Sequence, residues 1–298
     1  MKTKLALLTL SCLLGLINLR RHTPLRPQAE QSNSPLSSYH HLPQPQINNP
    51  LAPPISAPNY ILVDSATNTT LLSRNPRQKI FPASITKLAT VVTALNVYPL
   101  DEIVTVNQEY DVGKIMGLMP DEKLTVRSLI GGLLVHSAND AALALANHHS
   151  GGQEGFVKQM NLMTQKYQLK DTHFVNCDGI HHADHQSTVY DLAQLGRISI
   201  KNPIVVDMVK NQTLTVSDIR GTTDHYLEST NELLGIIPEV EGLKTGWTPE
   251  AGGCFIALIN IDDHYLISVV AQSEYRFDDT RKLITWAKKN ITWTEYHP

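Results

Sequence analysis

The chain has 298 residues, enough for one large domain or two modest ones with a real core. Hydrophobic residues at 42% and charged residues at 18% describe an ordinary soluble globular protein. The 25 basic against 28 acidic residues give a net charge of −3, with no basic excess of the kind a nucleic-acid surface needs. Three cysteines, Cys12, Cys177 and Cys254, exclude a disulfide-stapled scaffold. The last two are read as buried thiols, with a single bridge as the alternative.

Residues 1–21 place Lys2 and Lys4 before an apolar stretch from Leu5 to Leu19, closed by Arg20 and Arg21. This is the pattern of an export signal. No small-x-small cleavage site follows, so a cleaved signal peptide and an N-terminal membrane anchor both stand as readings. Either one directs the rest of the chain outside the cytoplasm. Residues 22–56 are rich in Pro, Gln, Asn and Ser. Such a composition buries too little apolar surface to offset the ordering of its backbone, and a flexible spacer is predicted. One folded domain is expected over 57–298.

Tyr60–Val63 and Thr69–Leu72, separated by turn-like residues, predict a hairpin. After Pro82, the apolar positions 85, 88, 91, 92 and 95 recur with helical spacing, which puts Ser84 in or near a first turn. Helices are predicted over 126–134, 140–147, 153–168 and 188–198. Gly253–Ile259 and Tyr265–Val270 around Asp262-Asp263 predict a second hairpin, and 278–289 a closing helix. Strands at both ends with helices between them predict an α/β (α+β) fold. Its sheet is assembled from the two termini, with an inserted helical region.

Three short patterns carry possible chemistry. Ser84 and Lys87 are three residues apart and share a helix face, where an amine can take the proton of a hydroxyl and make it a nucleophile. Alone, the pair is better read as a capping serine and a solvated lysine. Ser137 and Asn139 lie in a loop between two helices, where they either face a cleft or cap the next helix. Lys244-Thr245-Gly246 sets a cation beside a hydroxyl and a residue that lets backbone approach a ligand. It is placed at the entry of the C-terminal strands, and a solvated edge turn is the plain alternative.

Together, in the order S-x-x-K, S-x-N, K-T-G, these patterns form a catalytic signature. The chain resembles the penicillin-recognising serine enzymes, and most closely the low-molecular-weight serine-type D-alanyl-D-alanine carboxypeptidases. Pro82–Lys87, Ser137–Ala142, Thr172-x-Phe174, Asp178-Gly179, Asn231-x-Leu233-Leu234 and Gly242–Gly246 carry the closer likeness, over residues 57 to 285. Cys177 departs from a common proline. The resemblance implies a beta-lactamase/transpeptidase-like fold and an acyl-enzyme on Ser84 with Lys87 as base. Ser137 would relay the proton, Asn139 would orient Lys87 and the substrate amide, Lys244 and Thr245 would hold the substrate carboxylate, and Gly246 and Trp247 would also be substrate-binding. The amides of Ser84 and Trp247 would form the oxyanion hole. It implies no cofactor and no metal, peptidoglycan stem peptides ending in D-Ala-D-Ala as substrate, and beta-lactams as inhibitors. A D,D-endopeptidase, a beta-lactamase and an inactive wall-binding module remain as alternatives. Members often continue into a small β-rich domain and a C-terminal membrane helix. The sequence stops at Pro298, so any attachment is expected through the N-terminus.

Overall fold

The computed structural model describes residues 42–294. The leader, Cys12 and the first part of the expected spacer lie outside them. Among the described residues no helix is long and apolar enough to cross a membrane. In chain order the first elements are β1 (Gln44–Ile47), β2 (Asn59–Asp64), β3 (Thr70–Arg74), α1 (Thr86–Val97), β4 (Ile103–Thr105), β5 (Lys123–Thr125), α2 (Val126–Gly131), α3 (Asn139–His148) and α4 (Gly152–Lys166). They are followed by α5 (Val189–Ser199), α6 (Pro203–Val209), β6 (Thr213–Ser217), β7 (Asp224–Glu228), β8 (Val240–Thr248), β9 (Gly252–Ile261), β10 (His264–Ser273), α7 (Arg276–Asn290) and β11 (Ile291–Thr294).

Five strands form one antiparallel sheet in the order β3-β2-β10-β9-β8. Its centre pairs Leu62 with Ser268 and Val269 with Ile256, so the beginning of the domain is hydrogen-bonded to its end. The β9–β10 turn is Asp262-Asp263, both at positive φ (49° and 65°), the backbone that matches strand twist in a two-residue hairpin loop. One sheet face carries Ile256, Leu258 and Ile267 and packs against α1 and α5. The other carries Phe255, Ala257 and Val270 and packs against Leu283, Ile284 and Ala287 of α7.

The expected hairpins and helices are present, and four differences have physical causes. First, α1 is buried on every side from Thr86 to Ala94: Thr86, Lys87, Thr90 and Thr93 are inside along with Leu88, Val91 and Val92, as suits a core helix. Second, Lys244-Thr245-Gly246 lies within β8, the edge strand, rather than at a strand entry. Third, α6 was not anticipated, although Asn202 accepts the Ile204 N–H at its start and Pro203 occupies its first turn, a regular N-terminal signal. Fourth, order begins before residue 57. β1 pairs with β11, the Trp286 indole donates to Leu51 O at 2.7 Å, and Asn48 N–H donates to Asn290 O. The polar composition of 42–56 does not prevent order, because α7 supplies the partners for its backbone.

This strap ends on Asp279, whose carboxylate accepts from Ser56 N (2.8 Å), Ala57 N (2.8 Å), Ser56 Oγ (2.7 Å) and Ser273 Oγ (2.7 Å). Burial opposes its charge, but the Ser273 and Ser56 hydroxyls and the two amides outweigh it and hold its pKa below the usual 3.8. A lowered native pKa stabilises the fold above the unfolded value and stops doing so as pH falls through the native one. Asp279→Asn is therefore expected to cost about 1–3 kcal/mol at pH 7, the range for buried donors left unpaired. In urea titrations the gap between parent and variant should narrow once pH falls below about 4. A gap independent of pH would show that the charge contributes nothing.

Candidate functional site

Ser84 sits in a single 3-10 turn, Ala83–Ile85, that leads into α1. Ala83 takes φ 49°, a left-handed conformation that costs an alanine about 1–2 kcal/mol. The turn sets the Ser84 amide against β8 so closely that a Cβ on Gly246 would stand 3.0 Å from Ser84 N. Gly179 presses in on the same turn: a Cβ there would meet Ala83 O at 2.0 Å. Both glycines are what allow three segments to meet at Ser84. Trp247 follows on β8 opposite Gly253, its side chain 60% exposed at the rim.

Lys87, in the first turn of α1, is completely buried. Its Nζ donates to Ser84 Oγ at 3.0 Å and to Asp178 O at 2.6 Å. Burial is the main cause that brings its pKa down to about 8, against the opposing charges of Asp178, Cys177 and Asp140. Lys244 is buried as well and donates to Thr245 O at 3.1 Å. Burial, then the charges of Lys87, Lys114 and Arg276, push its pKa well below the ordinary value. Among the described residues it has no carboxylate partner. Thr245 Oγ1 is 2.6 Å from Thr230 Oγ1.

Ser137 closes the π-helical turn Gly132–His136 in a left-handed conformation (φ 64°) and is buried. Neither Ser137 nor Asn139 caps α3. The Asn139 side chain donates to Val112 O at 2.9 Å, and its backbone N–H to Lys114 O. The expected Asn139–Lys87 contact is not made, and the Asp178 carbonyl orients the amine instead. The structure thus brings Ser84, Lys87 and Gly246 to one turn, with Lys244 and Thr245 beside Gly246 on β8, while the Asn139 side chain is held by the 112–114 segment.

Several residues of the site carried no role in the sequence. Asp178 and Gly179 stood out only as a likeness. The Asp140 carboxylate accepts from the N–H groups of Met116 (3.0 Å), Gly117 (2.8 Å) and Leu118 (3.0 Å), which fixes the loop that holds Asn139. Arg276, beside Gly253 at the head of α7, has a buried Nε without a hydrogen-bond partner among the described residues, and no motif marks it. His185 turns out to be structural: its Nδ1 accepts from Val175 N, so its Nε2–H donates to Thr86 Oγ1 at 2.7 Å. Burial, then the neighbouring His173, His182 and His181, lower its pKa to about 3.

The geometry first defines a class. The fold is that of the beta-lactamase/transpeptidase superfamily of penicillin-binding proteins: the Streptomyces K15 DD-transpeptidase matches with a TM-score of 0.75 at 28% identity, over 79% of this chain and 98% of that one. A family model described as D-alanyl-D-alanine carboxypeptidase, peptidase family S11, matches residues 46–274. The chain is 35% identical over 261 residues to the D-alanyl-D-alanine carboxypeptidase DacD of Escherichia coli (strain K12), covering 82% of this chain and 66% of that protein. It is 32% identical over 224 residues to DacF of Bacillus subtilis (strain 168), covering 72% and 57%. The chain belongs to the S11 D-alanyl-D-alanine carboxypeptidase family of serine-type enzymes. It spans about two thirds or less of the length of these two curated relatives.

Cys177 and Cys254 are both free and buried. Burial raises the Cys254 thiol to about 11 and lifts Cys177 as well. Since the thiolate is the reactive form, iodoacetamide at pH 8 is expected to modify neither in the native protein and both after denaturation. Peptide mapping reads the result, and rapid native alkylation of Cys254, which pairs with Gly246 across the sheet, would contradict the closed packing behind the site.

Proposed function

We propose that the protein is a serine-type D-alanyl-D-alanine carboxypeptidase that works outside the cytoplasmic membrane on peptidoglycan stem peptides. The observation that carries this reading is the 3.0 Å contact between the buried Lys87 amine and Ser84 Oγ. The terminal carboxylate of the substrate binds at Lys244 and Thr245, with Arg276 behind them. A carboxylate there supplies the charge that the buried Lys244 lacks and favours its protonated form. Neutral Lys87 takes the Ser84 proton, and Oγ bonds to the penultimate D-alanine carbonyl carbon. The oxyanion is held by the Ser84 and Trp247 amides. As the C–N bond breaks, Ser137 gives its proton to the departing D-alanine nitrogen and takes one from Lys87, which becomes neutral again, while Asn139 holds the substrate amide. Water then attacks the ester carbonyl carbon, neutral Lys87 takes its proton, and that proton passes to Ser84 Oγ as the C–Oγ bond breaks. The scheme uses no cofactor and no metal. The basic-apolar leader supports the location, as a signal or an N-terminal anchor.

A labelled penicillin, which mimics the acyl-D-alanyl-D-alanine unit, is expected to bond to Ser84, and Ser84→Ala to abolish the adduct. The acylation rate should climb as pH rises toward about 8, because the reactive form of Lys87 is the deprotonated one. An adduct elsewhere on the chain, or a rate that falls over this range, contradicts the assignment.

Recognition of the free carboxylate is tested with acyl-D-alanyl-D-alanine peptides as acid and as amide. A charge-assisted contact is worth about 1.5–3 kcal/mol, so the acid should release D-alanine roughly tenfold to more than a hundredfold faster. Lys244→Ala should remove most of that ratio. Equal rates for acid and amide in the parent would count against a carboxypeptidase and in favour of an endopeptidase.

A further inference from the structure

The segment from Val106 to Glu122, between β4 and β5, walls the site and is pinned at several points. Asp140 binds three of its amides. His225 on β7 contacts Met116 O with Nδ1 at 3.0 Å and the Glu122 carboxylate with Nε2 at 2.6 Å. The segment in turn holds Asn139 through the carbonyls of Val112 and Lys114. At Tyr110 it reaches across to the segment that carries Asp178: the phenol donates to Asp178 Oδ2 at 3.1 Å. The other carboxylate oxygen accepts from Ile180 N at 3.2 Å.

Asp178 is 4% exposed and stands directly against Lys87, yet it offers the amine its main-chain carbonyl at 2.6 Å. Its carboxylate is engaged by Tyr110 and Ile180 and makes no ion pair with Lys87 among the described residues. A carboxylate at contact distance would favour the charged amine, which is the form unable to accept a proton. We propose that Tyr110 is a positioning residue that keeps the Asp178 carboxylate turned away from Lys87, so that the base has an uncharged partner. The inference rests on Lys87 acting as the base.

The other groups that face Lys87 do not substitute for this contact. Ser84 is the hydroxyl it activates. The Cys177 thiol is kept protonated by burial. Asp140 is committed to the amides of Met116, Gly117 and Leu118, and Lys244 carries the same sign as Lys87. Around Tyr110 stand Asp178, Cys177 and Asp111. Burial, followed by Asp178, raises the phenol pKa, so it remains a donor throughout the working range.

The test is the pH dependence of acylation by a fluorescent penicillin, measured on the full chain for the parent, Tyr110→Phe, Asp178→Asn and the double variant. Tyr110→Phe frees the carboxylate to pair with Lys87, and the acid limb of its profile should move to higher pH. A displacement of one unit lowers the rate at pH 7 about tenfold, while the rates of variant and parent converge at high pH. Asp178→Asn, which has no charge to misplace, should move the limb down or leave it. The double variant should follow Asp178→Asn, because without the carboxylate the phenol has nothing to restrain. A limb unmoved in Tyr110→Phe, a lowered plateau alone, or an upward shift that persists in the double variant would each overturn the proposal. Lys87→Ala separates the two readings: acylation at the parent rate in that variant would remove the base assignment itself.

Discussion

A fully buried lysine amine with two oxygen partners is the constraint on which the rest of the site depends. Removing an ammonium from water costs on the order of several kcal/mol even after relaxation, and the protein meets this by lowering the pKa of Lys87 and by placing Ser84 Oγ and Asp178 O against Nζ. That placement dictates the backbone around it. Asp178 can come so near only because Gly179 has no Cβ to strike Ala83 O. Ser84 can lie against β8 only because residue 246 is also glycine. The left-handed Ala83 completes the turn at an energetic cost that the packing around it sustains.

The electrostatic layout follows the same logic. Lys87 and Lys244 are two buried lysines, and among the described residues neither forms an ion pair with a carboxylate. The nearby acids are turned to other work, Asp140 to a row of amides and Asp178 to Tyr110 and Ile180. A paired lysine would be held as an ammonium and would accept no proton. Burial thus perturbs both amines without a charge partner to offset it, in keeping with perturbed groups gathering where chemistry is done.

Much of this was legible in the sequence. The core strands β2, β9 and β10 are continuous apolar runs, and the helices show regular spacing, so both the sheet from two termini and its helical layer could be read. The three motifs were visible as residue types at fixed intervals. What escaped had no local signature. β8 alternates poorly because Gly242, Lys244 and Gly246 interrupt it, and its strand character comes from pairing with β9. The strap at 42–56 looks like a spacer until α7 and β11 offer hydrogen bonds. The Asp178 carbonyl is a backbone group, and any residue type could have supplied it. Tyr110 and Arg276 act through distances across the fold, to segments 68 and about 30 residues away in the chain.

The sheet's topology has a consequence for when the site exists at all. Ser84 follows the first hairpin, whereas Lys244 is on β8, and β8 reaches β2 only through β9 and β10. The Ser84 turn rests on β8 through Gly246, and β2 is held in place by β10, near the end of the described chain. No local stretch can therefore bring Ser84, Lys87 and Lys244 together in advance. The Lys87–Asp178 contact closes a loop of 91 residues and the Ser84–Gly246 approach one of well over a hundred, the kind that form late because loop entropy must be met before the contact rewards it. The strained Ala83 and the buried, unpaired lysines add local cost at that same point. A partly folded chain has no reason to adopt them, so Ser84 is set in place by the completed sheet rather than by the helix it precedes.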